Sequence, residues 1–197
     1  FHKRTKPIYA ITSSGDTATV EIIKAEQFDS GALAVNNEGV ITATNMDIVM
    51  TLDVAANTSG DANSIAIDEV NQLLAVALAG DTGVKGHIAF YDISSDEPVF
   101  IQNVEVGYLP DMVTFTPDGS KVVVANEGEP AGDYSVDPEG SIAVIDIVDS
   151  QPATTSSLVN LAQFNGDAAE LAEQGVMFAN PTGRTIKGKL INTTVAM

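Results

Sequence analysis

One pattern occurs twice in the chain, first as Asn63-Ser-Ile-Ala-Ile-Asp-Glu-Val-Asn-Gln-Leu-Leu-Ala-Val-Ala-Leu-Ala-Gly80 and again as Asp111-Met-Val-Thr-Phe-Thr-Pro-Asp-Gly-Ser-Lys-Val-Val-Val-Ala-Asn-Glu-Gly128. The copies align without a gap at an offset of 48 residues. Each predicts an apolar strand, a tight turn and a second strand built almost wholly of Val, Leu and Ala, and Asp118-Gly119 is a two-residue hairpin signal in the second copy. Such a repeat decides the fold, because each unit must stack on the next to bury its apolar faces.

Each copy continues into a further strand. Gly86-His-Ile-Ala-Phe-Tyr-Asp-Ile93 matches Gly140-Ser-Ile-Ala-Val-Ile-Asp-Ile147 at an offset of 54, so six residues are inserted before the second of these strands. A fourth, outer strand fits 98–106. Four antiparallel strands recurring at this interval are the unit of a β-propeller blade, for which known repeats run roughly 40 to 50 residues. A Rossmann fold is excluded because no helical stretch separates the strands.

The rest of the chain is arranged around these two blades. Propellers close with at least about four blades, so we expect an all-β, incomplete propeller. Asp167-Ala-Ala-Glu170 is a capping box that predicts one short helix near 168–174. The expected divisions are an N-terminal region of degenerate strands, two blades, and a helix-containing connection that starts a further blade, at 1–59, 60–106, 107–152 and 153–197.

Charge restricts the classes of partner. The chain has 27 acidic residues against 9 Lys and Arg, a formal charge of −18, and no Cys. Such a field repels nucleic acid and anionic lipid, and no apolar run is long enough to insert into a membrane. The basic residues gather near the ends, at 3–6 and 184–189. We therefore expect cations or basic partners, no nucleic acid and no membrane insertion.

The inserted loop is a candidate calcium site. Its carboxylates repel one another unless they are solvated, protonated or bound to a hard cation, and calcium suits flexible oxygen ligands. The spacing is not that of an EF-hand. A solvated acidic loop is the alternative, and the sequence favours it. The candidate ligands are Glu127, Glu129, Asp133, Asp137 and Glu139.

A second candidate set lies at the mouth of the predicted central channel. Asn63 and Asp111 occupy equivalent positions just before the innermost strands, and Asn126 and Glu127 end the second strand of the later copy. Several blades can direct oxygen ligands toward one metal or substrate at such a place. The simpler interpretation, which we favour, is that Asn and Asp cap the turns into their strands.

The second unit resembles a known family. Leu109–Gly119, Val124–Pro130 and Tyr134–Ser141 are similar to segments of the bacterial choice-of-anchor I family, and the similarity is specific over 60–148. The resemblance implies a secreted or surface β-propeller that continues beyond residue 197, in a protein that is extracellular, on the cell surface or periplasmic. Some members are labelled alkaline phosphatase-like or phytase-like. No catalytic residue set can be placed on these motifs.

Two functions are therefore compared. The first is a binding or assembly module of an exported propeller, stabilised by calcium, which could associate with itself or with another protein through open strand edges. Completion of the ring by residues of the same protein is the alternative to such association. The second function is part of a calcium-dependent phosphoesterase. An enzyme of that kind needs cations to neutralise phosphate, and residues 25–183 hold only Lys85, Lys121 and His87. The sequence favours the binding module.

Overall fold

Most of the chain that the structure describes is β-strand. The structure is a computed structural model, and it describes residues 7–14, 17–24, 33–35, 37–39, 41–43, 48–54, 60–133, 135–164 and 168–175. These ranges contain a three-residue 3-10 turn, Ala162–Phe164, and a six-residue helix α1, Ala168–Glu173, where the sequence predicts one. Within the same ranges no helix is long and apolar enough to cross a membrane.

The N-terminal sheet has three antiparallel strands. β1 (Pro7–Ser14) pairs with β2 (Thr17–Lys24), and β2 pairs with β5 (Ile48–Asp53). Between them in sequence, β3 (Leu33–Val35) and β4 (Ile41–Ala43) form a separate hairpin. The N-terminal sheet precedes the two repeats and covers one side of the first of them.

The first blade is a four-stranded antiparallel sheet in sequential order. Its strands are β6 (Asp61–Asp68), β7 (Leu73–Ala79), β8 (Lys85–Asp92) and β9 (Val99–Tyr108). Every residue of β7 is buried, because both faces of this strand lie against other sheets. An apolar strand without polar alternation is what such a position requires.

The second blade repeats this order. β10 (Pro110–Phe115), β11 (Lys121–Asn126) and β12 (Ser141–Val148) pair in sequence, and β14 (Ser157–Asn160) pairs with the outer edge of β12. The two-residue β13 (Gln151–Pro152) pairs with the end of β12. The fourth strand thus follows residue 152, and the blade runs from 110 to 160. The expected fold class, incomplete propeller-type repeats of four-stranded antiparallel blades, is confirmed.

Two apolar layers hold the three sheets together. The first lies between the N-terminal sheet and the first blade, where Val20 and Val54 meet Leu74, Val76 and Leu78. The second lies between the blades, and its fully buried members come from alternate positions of facing strands. They include Ala75, Ala77, Ile88 and Phe90 of the first blade and Val122, Val124, Ala143 and Ile145 of the second.

A polar network joins the blades at the end where β6 turns into β7. The amide nitrogen of Asn71 donates to Asp68 Oδ2 at 2.6 Å and to the carbonyl oxygen of Gly119 in the second blade at 3.0 Å. Its amide oxygen accepts from Ser150 Oγ at 2.8 Å. The Asp68 carboxylate, 5% exposed, also accepts from the Val70 N–H at 2.8 Å. One Asn side chain therefore links three separate turns.

The Asp118-Gly119 hairpin forms, but not as the two-residue turn that the dipeptide suggests. The Thr116 N–H donates to the Lys121 carbonyl at 2.9 Å, so the loop has four residues, 117–120. Gly119 takes a left-handed backbone conformation, φ 68°. Hydrogen bonds from the Thr116 hydroxyl and from Ser120 lower the pKa of Asp118 to about 2. These hydrogen bonds to the Asp118 side chain stabilise the four-residue loop. The Asp-Gly dipeptide alone does not indicate them.

Candidate functional site at the acidic end of the blades

Both candidate sets of residues lie at the same end of the two blades. At this end, which we call the acidic end, β7 leads into β8, β9 into β10 and β11 into β12. Asn63 and Asp111 lie near the starts of β6 and β10, and Asn126 ends β11. The acidic loop, residues 127–140, joins Asn126 to β12. Antiparallel pairing therefore places the starts of β6, β10 and β12 at one end of the blades.

Asn63 and Asp111 are equivalent in the repeat but differ in chemistry. The Asn63 side-chain nitrogen donates to the backbone carbonyl of Pro110 at 3.2 Å, which ties the first blade to the start of the second. A carboxylate has no hydrogen to donate, so Asp111 cannot form the corresponding bond to a carbonyl. Asp111 is exposed, and it can only accept hydrogen bonds or bind a cation. The structure thus gives Asn63 a contact between blades and leaves Asp111 as the candidate ligand.

The side chain of Asn126 is buried and forms hydrogen bonds to two neighbouring strands. Its amide oxygen accepts from the Gly107 N–H at 3.1 Å, and its amide nitrogen donates to Ser141 Oγ at 3.2 Å. A Cβ on Gly107 would lie 2.5 Å from Ser141 Oγ and 2.7 Å from Asn126 Cγ, so only glycine fits there. The contact holds the end of β9 against β11 and β12. Sequence reasoning missed Gly107 and Ser141, because neither belongs to the acidic pattern.

Glu127 is a partly buried acid at this end. Partial burial raises the pKa of its carboxyl above the usual range, and the negative charges of Asp111 and Glu129 raise it further. Its backbone N–H donates to the Leu109 carbonyl at 2.9 Å, so the loop cannot simply move away from β10. Because the charges of Asp111 and Glu129 act on the Glu127 carboxylate, a cation bound beside Glu127 would relieve repulsion.

The other three carboxylates of the acidic loop, those of Asp133, Asp137 and Glu139, differ in their contacts. Asp133 accepts hydrogen bonds from Ser135 N–H at 2.9 Å and Ser135 Oγ at 2.6 Å, and Asp137 and Glu139 are exposed. In the part of the chain that the structure describes, no three His, Asp or Glu side chains form a group able to hold a metal ion as they stand. The five-carboxylate calcium site stays a prediction.

A small cavity of about 60 Å³ lies beside this acidic end, between the two blades. Its walls are the 80–84 loop of the first blade, the β9–β10 connection at Tyr108 and Leu109, and Glu129, Pro130 and Pro138 of the acidic loop. Val136 packs so closely on Gly83 that a Cβ there would lie 2.8 Å from Val136 Cγ1. The acidic loop therefore rests on the neighbouring blade.

The repeated four-stranded blades define the class of this chain, a β-propeller-type repeat protein. The chain belongs to the choice-of-anchor I family, whose choice-of-anchor I domain matches residues 1–196. The family expected from the sequence is thereby confirmed, and over more of the chain than 60–148.

Two solved structures are weakly similar to this chain. The chain is similar to a periplasmic gluconolactonase of Pseudomonas aeruginosa, PpgL, with 18% identity and a TM-score of 0.46 over 78% of this chain and 37% of that one. It is also similar to a protein from Lactobacillus plantarum, with 14% identity and a TM-score of 0.44 over 78% and 35%. The chain thus spans little more than a third of either structure. No curated protein matches it.

Proposed function

We propose that this chain is part of an exported bacterial β-propeller, on the cell surface or in the periplasm, that serves as a binding or assembly module. Family membership supports the export and the architecture. The strongly acidic composition supports cations or basic protein segments as ligands, rather than nucleic acid. Association with another protein through open strand edges is part of this proposal.

The acidic end is the proposed binding position, and calcium is the proposed cation. The observation that carries this is the raised pKa of Glu127, which Asp111 and Glu129 help to cause. Calcium accepts variable numbers of oxygen ligands, so it can draw in carboxylates that the free protein keeps apart. The further loop acids, Asp133 to Glu139, would add ligands or balance charge.

The phosphoesterase alternative has less support. A phosphate group needs positive charge to offset its own. In residues 60–160, both lysines are already paired with acids. Lys85 lies 2.8 Å from Glu105, and Lys121 is in contact with Asp146.

Calcium titration of thermal unfolding tests the proposal. A site with a dissociation constant of about 1 mM stabilises the fold by about 1.4 kcal/mol at about 10 mM Ca²⁺, because the ion binds only the native state. The melting temperature should therefore rise with Ca²⁺, and the rise should be lost in Asp111→Asn. Glu97→Gln, which removes an exposed acid at the opposite end of the first blade, is the matched control and should retain it. An equal rise in both variants, or none in the parent chain, would reject calcium at Asp111.

A further inference from the structure

The small cavity between the two blades at the acidic end combines apolar and acidic side chains in its lining. The apolar part comes from Val84, Leu109, Pro130 and Pro138, and the aromatic residue Tyr108 lines the cavity as well. Val84 is 55% exposed, whereas the other four of these residues are partly buried. The cavity is therefore open to solvent at the 80–84 loop and partly shielded from water elsewhere.

Hydrogen bonds hold the walls of this cavity in place. In the 80–84 loop, the Val84 N–H donates to the Asp81 carbonyl at 2.8 Å. Where the acidic loop leaves β11, the Gly128 N–H donates to the Tyr108 carbonyl at 3.1 Å. The cavity is thus formed before a ligand arrives, and a ligand that enters it does not have to order these loops.

Two acidic residues give the cavity a negative lining. Asp81 belongs to the 80–84 loop and Glu129 to the acidic loop, and both are exposed. Lys85 follows the 80–84 loop directly, but its amine is already paired with Glu105 at 2.8 Å. A cationic ligand is therefore attracted by two carboxylates here, and an anionic ligand is repelled.

The apolar part of the lining distinguishes between kinds of cation. Calcium takes about six to eight oxygen ligands, and the side chains of Val84, Leu109 and the two prolines have no oxygen to offer. A lysine side chain suits such a lining, because its methylene stem packs on apolar surface while its ammonium group stays near polar groups. Tyr108 adds an aromatic residue, a type that attracts ammonium groups.

The volume of the cavity limits how much of a ligand can enter. A cavity of about 150 Å³ holds one benzene molecule, so this one, of about 60 Å³, has room for about two or three heavy atoms. An ammonium nitrogen and the methylene carbon that carries it fill that space. The planar guanidinium group of arginine is larger. Size and charge therefore both favour lysine.

We propose that this cavity binds the side-chain ammonium group of a lysine from a partner protein, next to Asp81 and Glu129. The inference rests on the proposed function, because it names the group of a basic protein segment that the acidic end recognises. It does not involve Asp111, on which the calcium site depends, so either proposal can fail without the other.

Saturation-transfer NMR with the full chain tests the proposal. The probe is Nα-acetyl-lysine N-methylamide, whose positive charge is on the side chain alone. The salt concentration is about 0.15 M, which screens exposed charges more than about 8 Å apart. The ε-methylene protons of the probe should receive the strongest saturation. The corresponding arginine and norleucine amides should bind about tenfold more weakly or less.

Two variants locate the binding position. Val84→Phe enlarges a lining side chain without changing charge and should weaken binding of the lysine probe by about tenfold or more. Val99→Phe is its matched control, because Val99 is 59% exposed at the other end of the first blade. Glu129→Gln should weaken binding by about two- to fivefold, and Glu97→Gln, at that other end, should not.

Circular dichroism shows whether each variant is folded, and Glu129→Gln, at an exposed position, keeps the test decisive if Val84→Phe does not fold. Weaker binding in Val84→Phe and Glu129→Gln alone supports the proposal. Unchanged binding in both, an equal loss in their controls, or equal binding of the arginine probe would overturn it. Absence of binding by the parent chain would overturn it too, and a calcium-dependent melting temperature that is lost in Asp111→Asn would then still support the calcium site.

Discussion

Asn71→Ala should destabilise the pair of blades far more than the loss of one exposed amide would suggest. The substitution removes the donor to the Asp68 carboxylate, the donor to the Gly119 carbonyl and the acceptor for Ser150. Since Asp68 is buried, its carboxylate then loses a hydrogen-bond donor that water cannot fully replace.

The magnitude follows from the kind of bond that is lost. A hydrogen bond to a charged group contributes about 1.5–3 kcal/mol and a neutral one about 0.5–1.5 kcal/mol. We expect the loss of all three to cost about 2–4 kcal/mol, which is less than their sum because some of the freed groups form hydrogen bonds with water instead. Urea unfolding followed by circular dichroism should show a lower midpoint with an unchanged slope. The loss should also shrink when Ser150→Ala is already present, because the two substitutions share one bond.

Gln151→Ala is the matched control for this experiment. Gln151 is exposed, and its amide donates to the carbonyl of the adjacent Ser150 at 3.0 Å, so the change removes an amide without separating the blades. It should cost less than about 0.5 kcal/mol. If Asn71→Ala cost no more than this control, the network would not hold the blades together and the reasoning would be wrong.

Two further predictions concern the acidic end. Gly107→Ala should destabilise the fold by about 1–3 kcal/mol in urea unfolding, because the added methyl would collide with Asn126 and Ser141; an unchanged midpoint would contradict the close packing. Glu127→Gln should raise the melting temperature at neutral pH and do so less as the pH falls to 4, since a carboxyl with a raised pKa destabilises the fold when ionised and stops doing so once protonated. A benefit that is equal at both pH values would contradict the raised pKa.

Much of the fold could be predicted because the two copies of the repeat consist largely of apolar strand residues that align without a gap. The Val, Leu and Ala strand at 73–79 has few alternatives to a strand covered on both faces, and its match to 121–126 predicted the pairing in both copies. β14 was not predicted, since Ser157–Asn160 is short and wholly exposed and has no alternation that marks a strand. Its position is set by pairing with β12, which is a tertiary contact.

The acidic residues of the candidate site could be predicted from the sequence, but the contacts of the side chains around them could not. The acids could be located because charge is visible in a sequence, and the structure places them at one end. The partners of Asn71 lie 48 and 79 positions away, so no local pattern could have identified that network. The different roles of Asn63 and Asp111 had a visible signal, the change from amide to carboxylate at equivalent repeat positions. An amide can donate to a carbonyl and a carboxylate cannot, so this change by itself separates a structural residue from a candidate ligand.

The acidic loop enters and leaves its blade at directly paired residues, Asn126 and Ser141, as the shorter loop of the first blade does at Leu78 and His87. Fourteen residues, 127–140, therefore replace eight, 79–86, without any change in strand register. Closing the longer loop costs only about 0.5 kcal/mol more in chain entropy. The strand register therefore does not restrict the length of this segment, and we expect the blade to tolerate a foreign epitope or affinity peptide inserted there.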